Sequence, residues 1–260
     1  MLPVRPSWLG GLFSCYVFEH VQKLSRATAE RVTAPSPGAV PAATPKSVQT
    51  RARVLDAALG MLREQGYEAT TMRAIATRAG VSTGNAYYYF PSKDHLVQEL
   101  YVDVQRAHRR AVDDALVQGG TLAARLRLVL DAGIDVFTPY HSFAAEFVSV
   151  AIRPGAAANP FSDASREARE LSLAIFEDVV AGASPAVPAA LRAQLPELLW
   201  LANLGVTLFW VQDSSSGTAR TRRLVAGASP IVGTLVRLSR LPVARKVVDD
   251  VLRLTASLRT

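Results

Sequence analysis

Cysteine is nearly absent from this chain of 260 residues: Cys15 is the only one. That excludes an internal disulfide framework and a cysteine-based zinc site, and a lone thiol fits a reducing compartment. Histidine is scarce too. The four (His20, His95, His108, His141) form no i,i+4 pair and no HExxH, so no metal site is expected. No apolar run reaches the roughly 18 residues a membrane span needs. A nucleophile elbow, a P-loop and a Rossmann fingerprint are all missing. The adjacent acids Asp113-Asp114 and Glu177-Asp178 point to different sides of a helix. The expectation is a protein that is not an enzyme and carries no cofactor. Period-two alternation of β-branched residues is also lacking, which leaves an all-α fold.

What is present is ordinary for a globular chain: 49% hydrophobic and 20% charged residues. The net charge of +7 is unevenly spread. Residues 1–45 carry +2, 46–115 carry +2, 116–215 carry −4 and 216–260 carry +7. The basic excess therefore sits in the C-terminal segment, and by itself it is weak evidence for a nucleic-acid partner. Arg220, Arg222, Arg223, Arg237, Arg240, Arg245 and Lys246 read first as solvated helix faces.

Residues 1–45 read as a disordered N-terminal extension and Pro-rich linker. The apolar stretch Trp8 to Phe18 follows a single Arg5 and precedes no A-x-A site, a poor match to a signal peptide. Leu12-Phe13-Ser14 before Cys15 is a poor match to a lipoprotein anchor. The segment 34–45, APSPGAVPAATP, is linker in composition.

From Ser47 onward the pattern is helical. Val54, Ala57, Ala58, Met61 and Leu62 share one face of a helix over 47–65, which Gly66 is expected to stop in the left-handed conformation. Thr71 is an N-cap for a short helix with Met72, Ile75, Ala76 and Ala79 facing inward, ended by Gly80. Ser82 caps a third helix to about Phe90, and Pro91 breaks it. Ser92 caps a fourth, with Asp94 in its first turn, that runs to Gly119-Gly120. Further helices are expected over 121–138, 142–152, 165–182, 197–212 and 218–240, the last bent near Pro230, with one more from Pro242. The 197–212 helix is apolar all round, so both its faces must be covered.

Two short capped helices joined by Ala79-Gly80-Val81-Ser82 make a helix–turn–helix. Its second helix can enter a major groove, where Thr83, Gly84 and Asn85 would reach base edges. Asn offers adenine a bidentate donor–acceptor pair, Thr can meet a thymine methyl, and Gly84 lets the backbone come close. Tyr87, Tyr88 and Tyr89 point about 100° apart, so at least one is exposed to bind phosphate.

The segment Arg51 to Leu100, RARVLDAALGMLREQGYEATTMRAIATRAGVSTGNAYYYFPSKDHLVQEL, resembles the N-terminal domain of TetR-family transcriptional regulators. The AAL helix, the GYEATT turn, the AGVS turn and the YYYFPSK junction carry the likeness. It implies a helix–turn–helix head over 46–92, a helical ligand-binding and dimerisation domain over 93–241, and a basic tail over 242–260. It implies that Thr71 and Arg73 touch the backbone or a groove edge, that Thr83, Gly84, Asn85 and Tyr88 face the bases, that Tyr87, Tyr89 and Lys93 hold phosphates, and that Ser82 also belongs to the DNA-binding set. Ala86 and Phe90 should be core, although Ala86 is small where the family has a larger aliphatic side chain. The expected partners are operator DNA, a small-molecule effector and a second copy of the chain, in the cytoplasm at the nucleoid and not at a membrane.

For the C-terminal half the likeness is one of layout. The expected dimer face is Leu204, Leu208 and Val211 with Leu224, Ile231 and Leu235. The expected pocket is lined by His108, Phe137, Tyr140, Phe143, Phe147, Phe176 and Trp200, with His141, Glu146 and Asn203 as further polar groups. An apolar or flat effector follows from the aromatics. The rival reading is a helical protein that binds DNA without sequence preference, or a membrane surface, through its basic C-terminal segment and the amphipathic Val243–Leu258 helix.

Overall fold

The computed structural model describes residues 44–153, 155–156, 158–241, 250 and 253. The N-terminal extension with Cys15, and all of the 243–258 helix except Asp250 and Arg253, lie outside the described residues. The elements are α1 (Pro45–Ala69), α2 (Met72–Ala79), α3 (Thr83–Tyr89), α4 (Lys93–Val117), α5 (Leu122–Phe137), α6 (Ala144–Ala151), α7 (Arg166–Ala181), α8 (Ala189–Arg192), α9 (Leu195–Val211) and α10 (Ala219–Leu238). No strand occurs among the described residues; Gly120 and Ala183 form one isolated bridge.

Most boundaries follow the local chemistry read from the sequence. Thr71, Ser92 and Thr121 each take extended backbone and accept a hydrogen bond from the residue three ahead. One place differs. Gly66 interrupts α1 with φ 79° and ψ 176°, outside the left-handed helical region, and helix resumes to Ala69. The helix α5 stops at Phe137, ahead of Pro139 as expected, and Thr138–Phe143 follows as a 3-10 turn, where a proline in the first turn sacrifices no hydrogen bond.

The chain divides into two compact units, one within Met1–Gly60 and Thr71–Tyr89 and one within Met61–Thr70 and Phe90–Thr260. Sequence boundaries had given residues 61–70 to the head. They belong instead to the larger unit, because Tyr67 is tied there. Its N–H donates to the Glu146 carboxylate, its hydroxyl to Asp94, and its carbonyl accepts from Lys93 Nζ at 2.8 Å.

In the smaller unit α2 packs on α3, and Met72, Ile75, Ala76, Ala79 and Ala86 are buried. Arg78 lays its guanidinium over Gly60, 2.9 Å from where a Cβ would stand. In the larger unit α4 packs on α5 and α7, α9 on α7, and α10 on α5. Val112, Val129, Ile175, Phe176, Val179 and Val225 are wholly enclosed at the centre. Burial of such side chains contributes roughly 1.5–3 kcal/mol each.

Three buried polar groups hold these helices and their connections together. The Arg125 guanidinium, on α5, donates to Leu116 O at 2.8 Å, Asp178 O at 2.7 Å and Val179 O at 3.1 Å. It thus caps the last turns of α4 and α7 together. Asp213 accepts from the N–H and hydroxyl of both Ser215 and Thr221, which starts α10. Burial pushes the Asp213 carboxyl up, but these four bonds outweigh it and hold the group well below the usual carboxylate range.

His108 is the third. Its Nε2–H donates to Val129 O at 2.9 Å, and its Nδ1 has no partner among the described residues. Burial lowers its pKa, against a smaller opposing effect of that hydrogen bond, so the folded state holds the ring neutral. The unfolded imidazole takes up its proton below about pH 6.5. The His108 contribution is therefore full above that pH and is lost as pH falls through the lowered folded pKa. Urea midpoints followed from pH 7.5 down to 5 should fall more steeply for the wild type than for His108→Gln. Parallel curves would show that His108 does not carry the dependence.

Candidate nucleic-acid interface and ligand cavity

In the smaller unit, Thr71 Oγ1 accepts from Ala74 N at 3.2 Å and so opens α2. Gly80 closes it at φ 66° and ψ 37°, its N–H reaching Thr77 O, while Val81 N–H reaches Ala76 O. Ser82 Oγ then accepts from Asn85 N at 3.1 Å and opens α3. With its acceptor role used inside the turn, each hydroxyl keeps its O–H to donate outward.

The first turn of α3 lies open. Thr83 and Gly84 are exposed, Asn85 is half-buried, and a Cβ at Gly84 would meet nothing within 4 Å. Below it Ala86 is fully enclosed, so the small side chain leaves no accessible gap. Tyr88 is 79% exposed and Tyr87 49%. Tyr89 is different: its ring meets Tyr88 edge-on at 5.1 Å, and its hydroxyl donates to Ser47 Oγ at 3.2 Å. That bond sets the start of α1, with Lys46 and Arg51, beside the end of α3. The sequence reading had not named this basic start, although its charges were the available signal. Arg73 is exposed. Lys93, in the larger unit, gives its ammonium to the Tyr67 carbonyl and stands 4.0 Å over the Tyr67 ring.

The larger unit holds a cavity of about 410 Å³ between α4, α5, α6 and α9 and the segment 159–161. Phe137, Tyr140, Phe143, Phe147 and Trp200 line it, as do Asn203, Leu204, Leu208 and Val211. Two residues expected there do not. Phe176 is fully enclosed in the core beneath α7, and His108 faces Val129 behind Phe137, whose ring centre is 6.1 Å away. Aromatic spacing could not separate core from wall. Tyr101, Gln105, Ser172 and Phe161 were missed. The first two lie on the same face of α4 at i and i+4, a signal the sequence did carry. Phe161 sits in an irregular segment held by Arg169, which donates to Pro160 O at 2.7 Å and Ser162 O at 3.0 Å.

No Asp, Glu, Lys, Arg or His is among the described residues lining the cavity. Burial raises the Tyr140 hydroxyl pKa and pushes Tyr101 up to about 12, so both stay protonated. The charges nearby are committed elsewhere. Glu146 turns from the cavity helix α6 to the Tyr67 N–H, and His141 Nε2–H donates to Trp210 O at 2.9 Å. Asp113 and Asp178, one from each acid pair, meet at the Arg109 guanidinium at 2.6 Å and 2.5 Å, on the outside of α4 and α7 and away from the cavity lining. Among the described residues no group of three His, Cys, Asp or Glu could hold a metal, and no helix is long and apolar enough to cross a membrane.

Comparison with known proteins gives two family matches. Residues 54–100 match the family of bacterial regulatory proteins, tetR family, and residues 125–254 the tetracyclin repressor-like C-terminal domain. The chain is 30% identical over 192 residues to the HTH-type transcriptional repressor KstR of Mycolicibacterium smegmatis, covering 72% of this chain and 88% of the relative. KstR of Rhodococcus jostii is 29% identical over 215 residues, covering 80% and 95%. Among solved structures the fold resembles the transcriptional regulator FadR from Bacillus subtilis in complex with stearoyl-CoA. That likeness has a TM-score of 0.55 at 16% identity, over 68% of this chain and 96% of that one.

Proposed function

The chain belongs to the TetR family of bacterial regulatory proteins, and from that premise we propose that it is a repressor that binds a palindromic operator as a homodimer and leaves it when an apolar effector fills the cavity. The observation that carries this is the open first turn of α3, with Thr83, Gly84 and Asn85 at its exposed end and Tyr88 beside them. Thr83, Asn85 and Tyr88 read bases. Thr71, Arg73, Ser82, Tyr87, Tyr89 and Lys93 position the head on the phosphates.

Release requires that the effector bind the DNA-competent and the DNA-free states with different affinity. The larger unit offers a route. Helix α6 gives Ala144, Phe147 and Val148 to the cavity wall and, through Glu146, grips Tyr67, four residues before the Thr71 cap of α2. An effector that shifts α6 changes that grip. The FadR structure holds stearoyl-CoA, a molecule with a long apolar chain, and the cavity wall here is apolar as well.

The dimer reading rests on α10. Leu224, Ile231, Leu235 and Leu238 are exposed on one stripe, Ile231 at 61% and Leu235 at 60%, and Leu208 on α9 is exposed too. On α9, Leu204, Leu208 and Val211 also line the cavity. Ile231→Asp combined with Leu235→Asp should sediment as a monomer at concentrations where the wild type is a dimer, and should lose tight operator binding with it. A dimeric double variant would place the interface elsewhere.

Fluorescence anisotropy on DNA flanking the protein's own gene, at two salt concentrations, tests the proposal. Tight binding to one short palindrome, against weak salt-sensitive binding to all other fragments, supports sequence reading by α3. Equal binding to every fragment overturns it and points to the basic C-terminal segment.

A further inference from the structure

Gly66 breaks α1 with φ 79° and ψ 176°, a backbone region that is essentially glycine's own and that gathers at switch points. The Glu146 carboxylate of α6 lies against this break. It accepts from the Tyr67 N–H, and its two oxygens stand 2.6 and 2.8 Å from where a Gly66 Cβ would be. A side chain at position 66 would displace it. In an uninterrupted helix the Tyr67 N–H would donate to Arg63 O instead. One donor thus has two possible acceptors, and each goes with a different course of α1. Glu146 is exposed, so its carboxylate can return to water when the bond opens.

Beyond the break the chain closes a tight turn. Thr70 is fully buried, its hydroxyl donates to Gly66 O at 2.7 Å, and its N–H donates to Tyr67 O at 3.3 Å. Thr71 follows as the cap of α2, where the chain passes into the smaller unit. Tyr67 is tied to the return passage as well. Its hydroxyl donates to Asp94 and its carbonyl accepts from Lys93 Nζ, both in the first turn of α4, which begins shortly after the smaller unit ends at Tyr89. A single residue therefore joins the cavity helix α6 to the chain on both sides of the α2–α3 segment. Reading a palindrome needs two heads at fixed spacing, so fixing both passages favours the DNA-bound state. Resting on the effector reading above, we propose that Glu146 is a latch: on the Tyr67 N–H it holds the DNA-competent state, and displacement of α6 by an effector returns that N–H to the helix, straightens α1 at Gly66 and lowers DNA affinity.

Coupling is reciprocal, so operator DNA must in turn steady α6, and no effector is needed to see it. Amide hydrogen exchange of the full-length protein, with and without the palindromic duplex from its own flanking DNA, tests this. In the wild type the duplex should slow exchange across α6 by about threefold or more. Glu146→Ala should lose that response and bind the palindrome about tenfold more weakly. Glu146→Gln keeps a side-chain carbonyl to accept from Tyr67 and should retain both properties. Gly66→Ala should behave as Glu146→Ala does. Unchanged weak binding of each variant to scrambled duplex separates an open latch from a damaged head. The latch is overturned, with the DNA reading left standing, if bound operator leaves α6 exchange unaltered in the wild type, if Glu146→Ala keeps the wild-type response, or if affinity falls equally on both duplexes. A wild type that prefers no duplex overturns the DNA reading itself, and the latch with it.

Discussion

Thr83→Ala, Asn85→Ala and Tyr88→Ala combined should abolish operator recognition and leave the protein folded. All three side chains project from the open side of α3, while the buried side of that helix rests on Ala86. Truncating them removes no core contact, so the thermal midpoint should stay within a degree or two of the wild type. Specific binding is another matter. A good bidentate base contact discriminates by about 1–3 kcal/mol, and a two-fold dimer makes each contact twice. The expected loss is on the order of 100-fold or more at the palindrome. Weak binding to unrelated DNA should persist with an unchanged salt slope, because the cations near the head, Lys46, Arg51 and Arg73, are untouched. Anisotropy titrations against operator and scrambled duplex read both quantities. A parallel loss on the two duplexes would mean that these residues hold phosphates and that bases are read elsewhere.

The second large effect is on stability. Arg125→Met should cost about 3–5 kcal/mol, the usual result of removing one side of a buried charged hydrogen-bond system. Arg125 is 4% exposed, and its guanidinium is the shared cap for two helix C-termini, where partial negative charge favours a cation. Methionine keeps the volume but strands the Leu116 and Val179 carbonyls, while Asp178 O keeps only the Gly182 N–H. For a folded region of this size the thermal midpoint should drop on the order of 10 °C. Gly182→Ala attacks the same bond set from the other side, since a Cβ there would overlap the guanidinium. It should therefore destabilise the wild type strongly and Arg125→Met much less. Calorimetry of the two single variants and the double variant gives the coupling. Additive losses would show that Arg125 and Gly182 act independently and that this account of the helix ends is wrong.

Thr71, Gly80, Ser82 and Ser92 sit where their side chains or backbone freedom put them, because a cap depends on residues within three or four positions. The inward faces of α1 and α2 followed from spacing for the same reason: Val54, Ala58, Ile75 and Ala76 are all buried. Gly66 was legible as a break but not as the φ 79°, ψ 176° conformation it takes. That conformation goes with the Glu146 carboxylate from a distant helix, which stands 3.0 Å or less from where a Cβ would be.

The wall of the cavity was half legible. Phe137, Tyr140, Phe143, Phe147 and Trp200 reach it, whereas Phe176 and His108 turn into the core. Helical periodicity says that a side chain faces inward. It does not say whether the opposing helix fills the space or leaves it empty. The sequence by itself determined the helix–turn–helix, its caps, the exposed first turn of α3 and the all-α class, since each depends on interactions between near neighbours in the chain. Only the tertiary structure decided that residues 61–70 group with the larger unit, that Arg125 ends two helices at once, and that no charged side chain is among the described residues lining the cavity. Those features arise where residues tens of positions apart meet, and no local pattern encodes such meetings.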